Sequence, residues 1–169
     1  MIAGNFQLEG VRTMGTEKDR MYIVELLMDN EIGVGRLYRA YAKHFPDYRT
    51  FWTALAGEEV EHASWLGKLA SKVMEGSVLI DERRFNTAAI KTFSDYLERE
   101  LDRVNESGIS LIGALSTALY IEESIIEQRY FEVFEGDTIE FRKILLNLAD
   151  ATKTHLGKVK EALNKVRDA

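Results

Sequence analysis

The stretch Leu55–Leu66, LAGEEVEHASWL, decides the fold because it holds a Glu-x-x-His motif, Glu59 to His62. In a helix, residues three apart lie on one face with Cβ atoms about 5–6 Å apart, so this acid and this imidazole can bind one metal ion together. The apolar residues around the motif recur every three or four positions and predict one long helix: Trp52, Leu55, Leu66, Leu69 and Val73. The motif therefore lies in a buried stripe, where an unpaired carboxylate would be costly.

Residues 16–45 form a second helical stripe, with Thr16 as the predicted N-cap and Pro46 as the stop signal. Gly33 and Gly35 are expected to allow close approach of a neighbouring helix. The interior positions of this stripe include one acid: Val24, Leu27, Glu31, Val34, Tyr38, Tyr41 and Phe45.

The turn at Pro46 makes the first two helices antiparallel neighbours. We expect the Glu59 helix to begin at Asp47 and to end just before Gly76. Residues 77–107 then form a connection that carries an extra short helix, from about residue 87 to 104, with an apolar stripe and charged outer faces.

A third long helix is predicted for residues 110–134, and two registers compete because Glu122 and Glu123 are adjacent. The stripe through Glu122 ends in two charged residues, Arg129 and Glu132, so the pattern favours Glu123 as the inward-facing acid.

The last helix, capped by Asp137 or Thr138, has a stripe interrupted at mid-length by Thr152 and His155. Its segment LADATKTHLGKV aligns with LAGEEVEHASWL on the histidines, which indicates an internal repeat of two antiparallel hairpins. Acids and histidines that converge in an apolar interior satisfy one another by sharing metal ions or protons.

Composition excludes several classes of function. The 169 residues are 46% hydrophobic and 30% charged, with one proline, which favours a helical globular domain. The net charge of −6 argues against general binding to nucleic acid or to anionic membrane. The absence of cysteine excludes disulfides and thiolate metal ligands. With no secretory signal or spanning segment visible, we expect a cytoplasmic protein.

One Glu from each of two helices, with Glu-x-x-His on each of the other two, is the pattern of ferritin-like di-iron carboxylate proteins. Over residues 16–76 and 108–167 the chain resembles the rubrerythrin type, through LAGEEVEHA and through a tyrosine seven residues after Glu31 and after Glu123. The resemblance implies an all-α, ferritin-like four-helix bundle: an arm (1–15), two antiparallel hairpins (16–76 and 108–169), and a long crossover (77–107) with the extra short helix.

The same resemblance implies non-haem iron, with other divalent metals as alternatives, and an oxidoreductase that acts on dioxygen or hydrogen peroxide. It also implies a homodimer. The rubredoxin module of full-length rubrerythrins is missing from this sequence, so a separate protein would donate electrons. By position, the resemblance assigns metal-ligand roles to Glu31, Glu59, His62, Glu123 and His155, and roles in binding the ligand carboxylates to Tyr38 and Tyr130.

Thr152 departs from this pattern, because a glutamate is expected three residues before His155. Glu127, one turn beyond Glu123, is the candidate replacement. Three states of the site remain open: two ions completed by Glu127 and water, one ion, or none. The alternative function is a degenerate ferritin-like scaffold or binding protein, and iron storage is weaker still. Three residues are predicted to face solvent: Glu58, Glu61 and His44.

Overall fold

A computed structural model describes residues 16–78, 80, 85–127 and 138–168, with the side chain of Glu127 left out. The described residues form five α-helices and no strand, which confirms the all-α prediction. None of these helices combines the length and the apolar character needed to cross a membrane. In chain order they are α1 (Glu17–His44), α2 (Arg49–Met74), α3 (Thr87–Ser107), α4 (Leu111–Glu127) and α5 (Ile139–Arg167).

Most of the predicted helix ends are confirmed. The side chain of Thr16 accepts a hydrogen bond from the backbone N–H of Asp19, whose carboxylate accepts one from the Thr16 backbone N–H at 2.8 Å. Gly76, with φ of +69°, ends α2 in a Schellman turn. The predicted cap at Asp47 is wrong, because Pro46 starts a single 3-10 turn and α2 begins only after it.

The core follows the predicted stripes of α1, α2, α3 and α5. Helix α1 packs against α2 and α3, α4 packs against α5, and α2 also contacts α5. Beside Ile90, the side chains of Asn30 and Ser94 are hydrogen-bonded and link α1 to α3. The contact between α2 and α5 matters most for function, since it joins the two halves of the predicted site.

The two glycines of α1 allow close approach, as predicted, but to different neighbours. A Cβ atom at Gly35 would lie 3.3 Å from the Cβ of Glu59 in α2 and 3.4 Å from the carbonyl oxygen of Ala56. A Cβ atom at Gly33 would instead lie 3.0 Å from the end of the Leu97 side chain in α3. Gly35 thus brings the backbone of α1 close to the Glu59 position.

Several predictions fall outside the described residues. They concern the arm 1–15, residues 81–84 of the crossover, the end of the third long helix near residue 134, and Tyr130.

Candidate metal centre

Glu59 lies at the centre of the site and faces two histidines at once. Its Oε2 is 2.8 Å from Nδ1 of His62, one turn along α2, and its Oε1 is 2.9 Å from Nδ1 of His155 on α5. The two imidazole rings are stacked, with centroids 5.2 Å apart. All three residues are buried, and one ligand atom from each lies within 4.8 Å of the other two. The repeat predicted from sequence thus brings its two histidines together on one carboxylate.

Two further buried acids flank this trio. Oε2 of Glu31, on α1, is 3.3 Å from Nδ1 of His62. On the other side, Oε1 of Glu122, on α4, is 3.6 Å from Nδ1 of His155. The Nδ1 atom of each imidazole therefore faces two carboxylates, and Glu59 is common to both. Four helices supply these five residues.

The acid that α4 contributes is Glu122, so the prediction of Glu123 was wrong. Glu122 is 1% exposed and accepts a hydrogen bond of 2.7 Å from the hydroxyl of Tyr38, whereas Glu123 is half-buried. Across the described helix the Glu122 stripe is the buried one, containing Leu115, Ala118 and Ile125, whereas Ile112 and Ile126 of the Glu123 stripe are exposed. The two charges that counted against it, at positions 129 and 132, lie outside the described residues. Tyr38 donates a hydrogen bond to a buried carboxylate, as the resemblance implies, and that carboxylate belongs to Glu122.

Glu58 was also predicted wrongly, as a solvated residue. Its carboxylate is 2.6 Å from Nε2 of His155, and both of its oxygens accept hydrogen bonds of 2.8 Å from the ammonium of Lys158. Glu61 and His44 are exposed, as predicted. The partners of Glu58 lie on α5, about a hundred residues away in the chain, so the pattern of α2 alone gives no sign of them.

Thr152 is buried beside His155 but keeps its hydroxyl within its own helix. The Oγ1 atom donates a hydrogen bond of 2.9 Å to the carbonyl oxygen of Leu148. It therefore adds neither charge nor a carboxylate to the site. Glu127, the candidate replacement, is the last described residue of α4, and its side chain lies outside the described part of the chain.

The buried charges shift one another strongly. Burial alone would lower the pKa of both imidazoles, but the carboxylates outweigh it and raise the pKa of His62 to about 9 and that of His155 to about 11. Burial also tends to raise the pKa of Glu59, yet hydrogen bonds with the two histidines lower it below its usual value. Burial raises the pKa of both Glu31 and Glu122. In the absence of a metal ion, the two histidines therefore hold their protons tightly, and these protons balance the negative charge of the buried carboxylates.

The ligand atoms around Nδ1 of His155 are close enough together to hold a metal ion. Its Nδ1 atom is buried and within ion-pair distance of Glu59, yet it has no correctly oriented hydrogen-bond partner among the described residues. Two ligand atoms that each lie about 2.1 Å from one ion, at angles of about 90–109°, are themselves about 3.0–3.4 Å apart. The nitrogen-to-oxygen distances of 2.8, 2.9, 3.3 and 3.6 Å bracket this range. Carboxylate and imidazole ligands also suit iron, manganese and zinc.

Comparison with protein-family models, with curated proteins and with solved structures gives no match for this chain. The interpretation of the site therefore depends on its own residues.

Proposed function

We propose that this chain is a ferritin-like, rubrerythrin-like protein that binds one or two metal ions at the Glu59 centre and acts as an oxidoreductase on dioxygen or hydrogen peroxide. The four-helix bundle would consist of α1, α2, α4 and α5, with residues 77–107 crossing between the hairpins. One observation carries the proposal: the two oxygens of Glu59 separately face Nδ1 of His62 and Nδ1 of His155, on two different helices.

In this proposal the residues form two half-sites that share Glu59. Glu31 and His62 would hold one ion, and Glu122 and His155 the other. Iron, when bound, supplies the redox chemistry with oxygen or peroxide. The protein binds and orients: Glu59 holds the half-sites together, and the Tyr38 hydroxyl orients Glu122. Electrons would come from a separate donor protein.

The half-sites should differ in affinity. Nδ1 of His62 faces Glu31 and Glu59, and Nδ1 of His155 faces Glu122 and Glu59, so each Nδ1 atom has two carboxylate neighbours. Oε2 of Glu31 is 3.3 Å from Nδ1 of His62, whereas Oε1 of Glu122 is 3.6 Å from Nδ1 of His155. We expect the His62 half-site to fill first, because Thr152 leaves the other half-site without the extra carboxylate expected there.

Metal analysis of protein purified without chelators tests the proposal, together with anaerobic titration by Fe²⁺, Mn²⁺ and Zn²⁺. We expect one or two ions per chain, and loss of binding in Glu59→Gln. Glu61→Gln is the matched control, since the same change is made on the exposed face of the same helix. The reaction is tested by mixing the iron-loaded protein with hydrogen peroxide and following peroxide consumption. Wild-type protein that binds none of these metals would refute the proposal.

A metal-free helical scaffold is the second candidate, and one observation favours it. Glu31, Glu59 and Glu122 all lie within 3.6 Å of an imidazole nitrogen, so protons alone can link the buried acids and histidines. In that case, chelation would leave the melting temperature unchanged and added metal would not raise it.

A further inference from the structure

Glu58 contacts the ring nitrogen of His155 that faces away from Glu59. Nδ1 of His155 faces Glu59, whereas Nε2 is 2.6 Å from Oε2 of Glu58. Lys158 follows His155 by three residues on α5 and therefore shares its face of the helix. Its ammonium lies 2.8 Å from both oxygens of Glu58. One carboxylate of α2 thus contacts two side chains of α5.

This arrangement sets the orientation of the imidazole and the direction in which its lone pair points. An ionised carboxylate only accepts hydrogen bonds, and the ammonium of Lys158 favours the ionised form of Glu58. Nε2 of His155 is therefore the donor to Glu58. When the ring is neutral, its lone pair is then on Nδ1, which faces Glu59 and Glu122. A metal-binding histidine needs this tautomer and this ring orientation.

Of the two histidines, His155 is the one with an outer carboxylate partner among the described residues. Among the described residues, the ion pairs of His62 are made through Nδ1 alone, to Glu31 and Glu59. The outer carboxylate is found instead at His155, in the half where Thr152 replaces the expected glutamate. An anchored ligand loses less conformational freedom on binding, which offsets part of the missing charge.

We propose that Glu58 is a positioning residue for His155 as a metal ligand, and that Lys158 holds Glu58 in place. The inference rests on the proposed metal-binding function and assigns the second half-site a support that the described residues do not give the first. Loss of an outer partner of this kind typically weakens metal binding about 10–100-fold. The weakening should be confined to the ion held by His155.

The test uses the full chain, with Zn²⁺ as the probe, and compares Glu58→Ala and Lys158→Met with the control Glu61→Ala. Calorimetric titration measures each binding step. We expect Glu58→Ala to weaken the second step about 10–100-fold and to leave the first unchanged. Lys158→Met should also weaken the second step, by a smaller factor. Lys158→Arg keeps the positive charge and should bind the second ion like the wild type. Because Lys158 is on the surface, its variants do not disturb the core.

A second measurement works without metal. In ¹⁵N-resolved spectra of the metal-free protein, the Nε2–H of His155 should exchange slowly in the wild type and in Glu61→Ala, and rapidly in Glu58→Ala. Unchanged exchange in Glu58→Ala, or an unchanged second zinc step, would overturn the inference while leaving the proposed function intact. If the wild type binds no zinc, the inference is overturned even when Glu58→Ala speeds the Nε2–H exchange, because only the contact between Glu58 and His155 then remains.

Discussion

Replacing Glu122 by glutamine, with the same change at Glu123 as the control, tests both the register of α4 and the second half-site. The two residues are neighbours on one helix and undergo the same chemical change. Of the two, Glu122 is the fully buried one. It accepts a hydrogen bond from the Tyr38 hydroxyl and lies near His155. Glutamine keeps the volume and one acceptor oxygen but removes the charge, so the two variants separate the role of the carboxylate from that of packing.

Without metal, the effect on stability should be modest. Burial penalises the charged form of Glu122 and raises its pKa, so exchanging the carboxylate for a neutral amide recovers part of that desolvation cost. The main loss is in the hydrogen bond from the Tyr38 hydroxyl. A hydrogen bond to a charged oxygen is worth about 1.5–3 kcal/mol, and one to the neutral amide oxygen is worth about 0.5–1.5 kcal/mol. A loss of about 1–1.5 kcal/mol would lower the melting temperature by about 2–6 °C in a chain of this size. Glu123→Gln should change stability by less than about 0.5 kcal/mol.

With metal, the difference should be much larger. An ion present at about 100 times its dissociation constant stabilises the folded state by about 2.7 kcal/mol, a rise of about 5–11 °C in melting temperature. Losing a direct ligand should weaken binding at least as much as losing an outer partner, so we take about 100-fold. At the same metal concentration only about 0.4 kcal/mol then remains, or less than about 2 °C.

Differential scanning calorimetry across a zinc series measures both quantities, with each curve compared at equal free metal. We expect Glu123→Gln to follow the wild type, and Glu122→Gln to lose the part of the shift due to the second ion. The opposite result would mean that Glu123 faces the site. If both variants keep the full zinc shift, neither acid is a ligand and the second half-site is refuted.

Three further predictions concern the completeness, the charge and the packing of the centre. Thr152→Glu should restore the missing carboxylate beside His155 and raise the iron content by up to one ion per chain; unchanged metal analysis would show that this half cannot hold an ion. Since carboxylates raise the pKa of His62 to about 9 and that of His155 to about 11 from the usual 6.5, the metal-free protein should have the full stabilising contribution of both histidines below about pH 6.5. Its stability should fall as the pH rises to 9, and equal urea midpoints at pH 6 and 9 would contradict this. Gly33→Ala should stabilise α1 by up to about 1 kcal/mol, because only a flexible side chain must move; Gly35→Ala should gain less and weaken metal binding, because the added methyl meets the backbone of α2.

The periodicity of the sequence was sufficient to identify the inner face of most helices. Glu31, Glu59, His62 and His155 were each predicted from an apolar stripe, and each is buried at the centre. Periodicity predicts the wrong acid of α4 because adjacent residues lie about 100° apart on a helix, so an error of one position selects another face. The prediction of Glu123 depends on charges at the far end of the helix. In the half nearer the site both faces are largely apolar, and only the burial of Leu115, Ala118 and Ile125 shows that the Glu122 face is the inner one.

Glu58 illustrates a limit of another kind. The sequence predicts that Glu58 faces solvent, yet its carboxylate contacts His155 and Lys158 while 38% of its side chain stays exposed. What no pattern within α2 contains is Lys158, which lies 100 residues later and meets Glu58 only because α2 packs on α5. The internal repeat suggests two equal half-sites, but the Glu58 contacts and the Thr152 substitution both fall on the side of His155. Thr152 removes a carboxylate from this half, and Glu58 anchors its imidazole. Because these two effects oppose each other, each metal-binding step should be measured separately.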